Sequence, residues 1–239
     1  MSSCELQPKS HPRKRKMNNR QVVLKRHPNG IPVPEDFDLA EGSIAEPGDG
    51  QMLVRNLFFS LEAAIRGWLD GKANYFEPIP LGGAIRGPSV ARVVKSRLAG
   101  FEVGDLIFGL HHWEDYSLSD ANTILLSKLS PQPGIPLSYY SGGLGGSGHT
   151  AYVGLHEIGK IQAGETVLIS AAAGATGSMA TQIAKLRGCE VVGIVGSDEK
   201  AALITDTLGA DAAVNYKTCG DLTASIAQAC PEGVDVYST

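Results

Sequence analysis

The chain has 239 residues, 43% of them hydrophobic, and a formal net charge of −4. That length suits one large or two modest domains with a sizeable core, and the mildly acidic balance gives no global reason to expect nucleic acid as a partner. No apolar run reaches the ~18 residues that a membrane span needs, and the first residues lack the apolar stretch of a secretory signal, so a cytoplasmic protein with no membrane partner is expected.

Residues 1–16 carry Lys9, Arg13, Lys14, Arg15 and Lys16 against Glu5, with two prolines and almost nothing apolar. This composition predicts a disordered basic tail. A nuclear import tag fits the same residues, but a solvated tail accounts for them more simply. Met17 is an alternative start, because ordered-looking sequence begins just behind it at "QVVLKRHP". From there to about residue 130 the pattern is β-rich, punctuated by glycine and proline. "GDGQMLVRNLFFSL" (48–61) reads as a turn and a strand, "SVARVVKS" (89–96) as an alternating half-buried strand, and "FEVGDLIFG" (101–109) as a tight turn ahead of another strand. The adjacent His111 and His112 would point to opposite faces of a strand, and no partner ligand is spaced to help them, so no metal site is expected. The four cysteines, at 4, 189, 219 and 230, form no C-x-x-C pair and indicate neither disulfides nor zinc. Pro131 to Gly148 reads as a junction, and His149 to Ile158 as a short helix. The boundaries are a tail at 1–16, a β-rich domain at 17–142 and a nucleotide-binding domain at 143–239, with a cofactor crevice between the two domains.

The second half opens on Thr166-Val-Leu-Ile-Ser170, a short apolar run without alternation, as in a parallel strand buried on both faces. A helix follows from Gly177, with an apolar stripe of Met179, Ile183, Ala184 and Leu186 closed by Gly188, and "EVVGIV" (190–195) supplies a second buried strand. At the first strand-to-helix turn stands Ala172-x-Gly174-x-x-Gly177, a dinucleotide fingerprint with alanine in its first slot. Gly174 would let backbone approach a pyrophosphate, Gly177 would let helix and strand pack closely, and the anion would meet the free N–H groups of the helix's first turn. A glycine-rich turn without a ligand is the plain alternative. Beyond the second strand, Asp198 stands near the distance at which a carboxylate would accept from a ribose hydroxyl and favour NAD(H). Gly196 and Ser197 occupy the strand tip itself, Asp198 and Glu199 suit the first turn of the next helix, and Lys200 could turn toward a 2′-phosphate. These residues favour NADP(H), with a solvated Lys200 as the alternative. Helix (198–208), strand (211–214), helix (221–229) and the opening of a fourth strand, "VDVY", complete the run.

"VRNLFFSLEAAIRGWL", "GFEVGDLIFG", "GLGGSGHTAYVGLHEIGKIQAGETVLISAAAGATGS", "GCEVVGIVGSDEK" and "AAVNYKT" resemble the zinc-free branch of the medium-chain dehydrogenase/reductase superfamily, within it the NADP-dependent alkenal and enone double-bond reductases. The resemblance runs from about Gln21 to Tyr237. It implies an α/β protein in which a GroES-like β-rich substrate domain precedes a Rossmann doubly wound parallel sheet. It also implies hydride transfer from NADPH to the β-carbon of an α,β-unsaturated carbonyl, and a possible homodimer. By position, Gly174, Ala175, Thr176 and Gly177 would line the pyrophosphate, while Lys200 and Tyr216, with Ser197 at the strand tip, would hold the adenosine 2′-phosphate end. The chemistry asks chiefly for a positioned donor and a hydrogen bond at the carbonyl oxygen, so no acid, base or metal is assigned. Family members commonly carry tyrosine where this chain has Phe58, which implies a more apolar pocket; Phe58, Ile65 and Trp68 are candidate pocket residues and equally plain core residues. The second half of the Rossmann sheet is missing from the pattern, so a C-terminally truncated chain is expected. That expectation carries an exposed first strand, poor or absent turnover, and two alternatives to a reductase: a non-catalytic nucleotide-binding or subunit-pairing remnant, and a fragment with no ligand.

Overall fold

The structure is a computed structural model and describes residues 18–72 and 76–238. The basic tail and Met17 lie outside the described residues. The chain divides into two compact units between Lys128 and Leu129.

In the first unit, strands β1 (Asn18–Leu24) and β2 (Phe37–Ser43) form an antiparallel pair. A second sheet has the order β6-β3-β4-β5-β7 and is built from β3 (Gln51–Phe59), β4 (Arg86–Ser96), β5 (Leu106–His112), β6 (Tyr116–Asp120) and β7 (Ser127–Leu129). Helix α1 (Ala63–Trp68) follows β3. Met52, Val54, Ala91, Val93 and Ile107 make one core cluster. Leu24, Ile65, Trp68, Leu69, Ile79 and Ile85 make another. Strand β4 departs from the alternation expected of it, because Gly87 to Ala91 are buried in succession. It is the middle strand of five, and both of its faces are covered there.

The second unit begins its regular structure with α2 (Gly146–Tyr152), which runs on into a π-helical turn at Val153–Ile158. The helix starts three residues earlier than its pattern suggests, inside the glycine-rich run, because the backbone folds back on itself there: a Cβ on Gly148 would overlap the carbonyl oxygen of Gly143. Then come β8 (Thr166–Ile169), α3 (Ala175–Leu186), β9 (Glu190–Val195), α4 (Asp198–Ala202), β10 (Ala212–Asn215), α5 (Leu222–Ala229) and β11 (Val236–Ser238). The four strands pair in parallel in the order β10-β9-β8-β11. Numbered within this unit that order is 3-2-1-4, the opening of a doubly wound sheet.

Two expectations need correction. Strand β8 is not an exposed edge, because β11 pairs with it through Val236–Val167, Tyr237–Leu168 and Ser238–Ile169. The ladder continues past β8, where the Ser170 N–H donates to the Ser238 carbonyl at 2.9 Å. A three-residue strand is enough to supply that ladder. The apolar stripe of α3 is also rotated: Ala180, Thr181 and Ala184 are buried, Met179 and Ile183 are half-buried, and Leu186 is 87% exposed. At 3.6 residues per turn Leu186 lies ~200° around the helix from Ala184. Small side chains face the sheet because the helix sits close to it.

Candidate functional site

That closeness is set at the fingerprint turn. A Cβ on Gly177 would lie 2.8 Å from the Ala172 Cα and nearer still to the Ala171 carbonyl oxygen, so no side chain fits. Ala171 itself takes a left-handed φ of 47°, unusual for a residue with a Cβ. Gly174 is the N-cap of α3, in extended conformation, and no side chain caps the helix. The N–H groups of Ala175, Thr176 and Gly177 belong to a first turn that has no intrahelical acceptor. A twelve-residue helix with an open N-terminus of this kind favours an anion.

Gly174, though not Ala175, Thr176 or Gly177, lines a cleft of about 530 Å³ in the second unit that is also lined by Gly196, Lys200, Tyr216 and Lys217. These residues meet because β9 and β10 are parallel and in register, Val195 beside Asn215, so the residues just past both strand ends are neighbours. The Tyr216 ring lies over Gly196, where an added Cβ would come 2.9 Å from its hydroxyl oxygen. The Lys217 ammonium stands 6.0 Å from the centroid of the same ring. Among the described residues neither Lys200 nor Lys217 is ion-paired, so the cleft wall carries two uncompensated cations. Ser197 does not line the cleft; it is the N-cap of α4, where its hydroxyl accepts from the Lys200 N–H at 3.3 Å. Lys200 and Tyr216 stand where the sequence leads one to expect them, whereas Lys217 was not among the expected residues. Its signal was present, a lysine just past the strand neighbouring the one that leads to Lys200.

The candidate pocket residues of the first unit part company. Phe58 is 40% exposed and lines an apolar groove of about 710 Å³ with Leu39, Leu61 and Trp113. Trp68, 3% exposed, belongs to the core, as does Ile65. The groove also has a polar end that the sequence did not announce. There the Glu114 carboxylate accepts from Asn19 Nδ2 at 2.9 Å, Gln21 Nε2 at 2.6 Å and the Ser117 hydroxyl at 2.8 Å. Beside it Arg20 clasps Asp115 through two bonds of 2.8 and 3.0 Å, and this guanidinium holds the Asp115 carboxyl below its ordinary range.

His111 is buried and His112 exposed, on opposite faces of β5. The His111 ring lies 2.7 Å from the Ser89 hydroxyl and 3.3 Å from that of Ser119. Burial, with a smaller push from His112, lowers its pKa to about 4 and keeps it neutral. Among the described residues no group of three or more His, Cys, Asp or Glu side chains could hold a metal ion.

Two family models match the chain: one described as the N-terminal domain of oxidoreductase over residues 20–126, the other as zinc-binding dehydrogenase over residues 175–238. Similarity to the NADPH-dependent curcumin reductase of Escherichia coli is 40% identity, over 93% of this chain and 63% of that protein. The chain belongs to the medium-chain dehydrogenase/reductase family. The NADP(+)-dependent 2-alkenal reductase of Nicotiana tabacum is 39% identical, over 92% of this chain and 65% of that protein. Among solved structures, CurA from Vibrio vulnificus in complex with NADPH aligns with a TM-score of 0.81 and 39% identity, covering 91% of this chain and 64% of that one. The chain thus spans a little under two thirds of the length of these relatives. Among the described residues no helix is long and apolar enough to cross a membrane.

Proposed function

We propose that the second unit binds NADP(H) and that the chain belongs to an enzyme reducing the C=C bond of α,β-unsaturated aldehydes or ketones by hydride transfer to the β-carbon. The observation that carries the nucleotide reading is the meeting, in one cleft, of the uncapped start of α3 at Gly174 with two lysines that have no ion-pair partner among the described residues. Gly177, which admits no side chain against Ala171 and Ala172, seats the start of α3 on the turn, and Gly174, Lys200 and Lys217 line the same cleft. Gly174, Ala175, Thr176 and Gly177 would receive the pyrophosphate, and Lys200, Lys217 and Tyr216 the 2′-phosphate end. Bound there, NADPH would supply the hydride. The fit to this chain's residues is good, since the cradle needs no side-chain donor and the cations need no partner displaced.

The substrate reading draws on the relatives named for curcumin and 2-alkenal reduction. Phe58 offers an apolar wall suited to the carbon skeleton of such a substrate, and it offers no hydroxyl. Calorimetric titration of the 239-residue chain tests the nucleotide half. NADPH should bind at least about tenfold more tightly than NADH, a difference worth ~1.4 kcal/mol, and Lys200→Ala should remove most of that margin. Equal affinities would overturn the assignment. Oxidation of NADPH with a simple alkenal, followed by absorbance, tests the substrate half.

A further inference from the structure

We propose that Asn215 makes the cleft selective for a 2′-phosphorylated nucleotide by holding the Asp198 carboxylate away from it. The inference rests on the NADP(H) reading above and concerns a positioning residue, one that acts through Asp198 and Lys217.

Asp198 stands about 20 residues beyond the fingerprint glycines, where a carboxylate can accept from a ribose hydroxyl and repel a 2′-phosphate. Yet it does not line the cleft, although Gly196 and Lys200 on either side of it do. Its Oδ1 accepts instead from Asn215 Nδ2 at 2.7 Å. Asn215 is the last residue of β10 and pairs in register with Val195 at the end of β9, so its side chain reaches the start of α4 across adjacent strand ends. Its other amide atom is used as well: Oδ1 accepts from the Lys217 N–H at 3.1 Å. These partners fix the orientation of the carboxamide. A carboxylate only accepts and a backbone N–H only donates, so Nδ2 must face Asp198 and Oδ1 must face Lys217. One side chain therefore withdraws an anion from the cleft and shapes the turn that sets Lys217 beside the Tyr216 ring. Because Asp198 sits at an exposed surface, solvent screens the effect and limits it to a factor of a few.

The test is a calorimetric cycle on the 239-residue chain with 2′,5′-ADP and 5′-AMP, probes that differ only in the 2′-phosphate. Asn215→Ala should weaken 2′,5′-ADP binding about threefold to fivefold and leave 5′-AMP within about twofold, the range that an exposed charge pair can supply. Adding Asp198→Ala to Asn215→Ala should restore the share lost through the freed carboxylate, leaving only the share that belongs to the Lys217 turn, whereas Asp198→Ala alone should change little. Asn215→Ser, which keeps a short polar side chain, supplies the same comparison if the alanine variant folds poorly. Equal weakening of both probes, no weakening, or no rescue by Asp198→Ala would overturn the proposal while leaving the NADP(H) reading intact. Failure of the unaltered chain to bind 2′,5′-ADP more tightly than 5′-AMP would overturn the NADP(H) reading itself, and this proposal with it.

Discussion

The groove of the first unit and the cleft of the second are built by opposite means. The cleft is largely a backbone object: an uncapped helix N-terminus, a glycine that admits no side chain, and strand ends aligned by parallel register, with two lysines and one tyrosine added. The groove is a side-chain object, assembled from Phe58 of β3, Leu39 of β2, Trp113 beyond β5 and a carboxylate held by residues of β1 and β6. A backbone site tolerates exchange of most neighbours and fails at one glycine. A side-chain site shifts with each substitution and fails outright at none. Binding of a common nucleotide suits the first construction, and variation of substrate suits the second.

The largest expected effect separates the wall of the groove from the core beneath it. Trp68→Ala should cost about 3 to 5 kcal/mol of stability, because a buried indole leaves a cavity, whereas Phe58→Ala should cost below about 1 kcal/mol. Urea unfolding midpoints of the two variants check this, and similar losses would mean that Phe58 is a core residue after all. On the cleft side, Gly177→Val should cost about 3 kcal/mol of stability by forcing α3 off the turn and should abolish nucleotide binding. A stable Gly177→Val protein with intact 5′-AMP affinity would show that the cradle is not closely packed.

A third effect belongs to the first unit alone. His111 is held neutral with a pKa near 4, below the ~6.5 of an unfolded chain, so protonation favours unfolding as pH falls between these values. The loss should approach ~3 kcal/mol by pH 4. It would precede the loss from Asp36, Asp105 and Asp115, whose carboxyls are depressed by hydrogen bonds and so favour the folded state until the pH falls through the carboxylate range. His111→Gln, monitored by urea midpoint against pH, should flatten the curve between pH 6.5 and 4 and leave the lower limb in place. An unchanged curve would place the pH sensitivity elsewhere.

Much of the second unit was legible in the residue order. Unbroken apolar runs at Thr166–Ile169 and Glu190–Val195 announce strands buried on both faces, and the glycine spacing between them announces a close strand-to-helix turn. Both signals are local, since they depend on what a chain of these residues can do within a dozen positions. Lys200 was legible from its place just past the strand tip and Tyr216 only through a resemblance, and both line the cleft. Ser197 proved to be a helix cap, and the inward face of α3 proved to be its small residues. Those outcomes, like the burial of β4, the cover that β11 gives β8, the pairing of Asn215 with Asp198 and the gathering of Asn19, Gln21 and Ser117 around Glu114, are settled between distant segments. Strand order and register choose which side chains meet, and a single chain pattern is compatible with many such choices until the whole set of strands is packed.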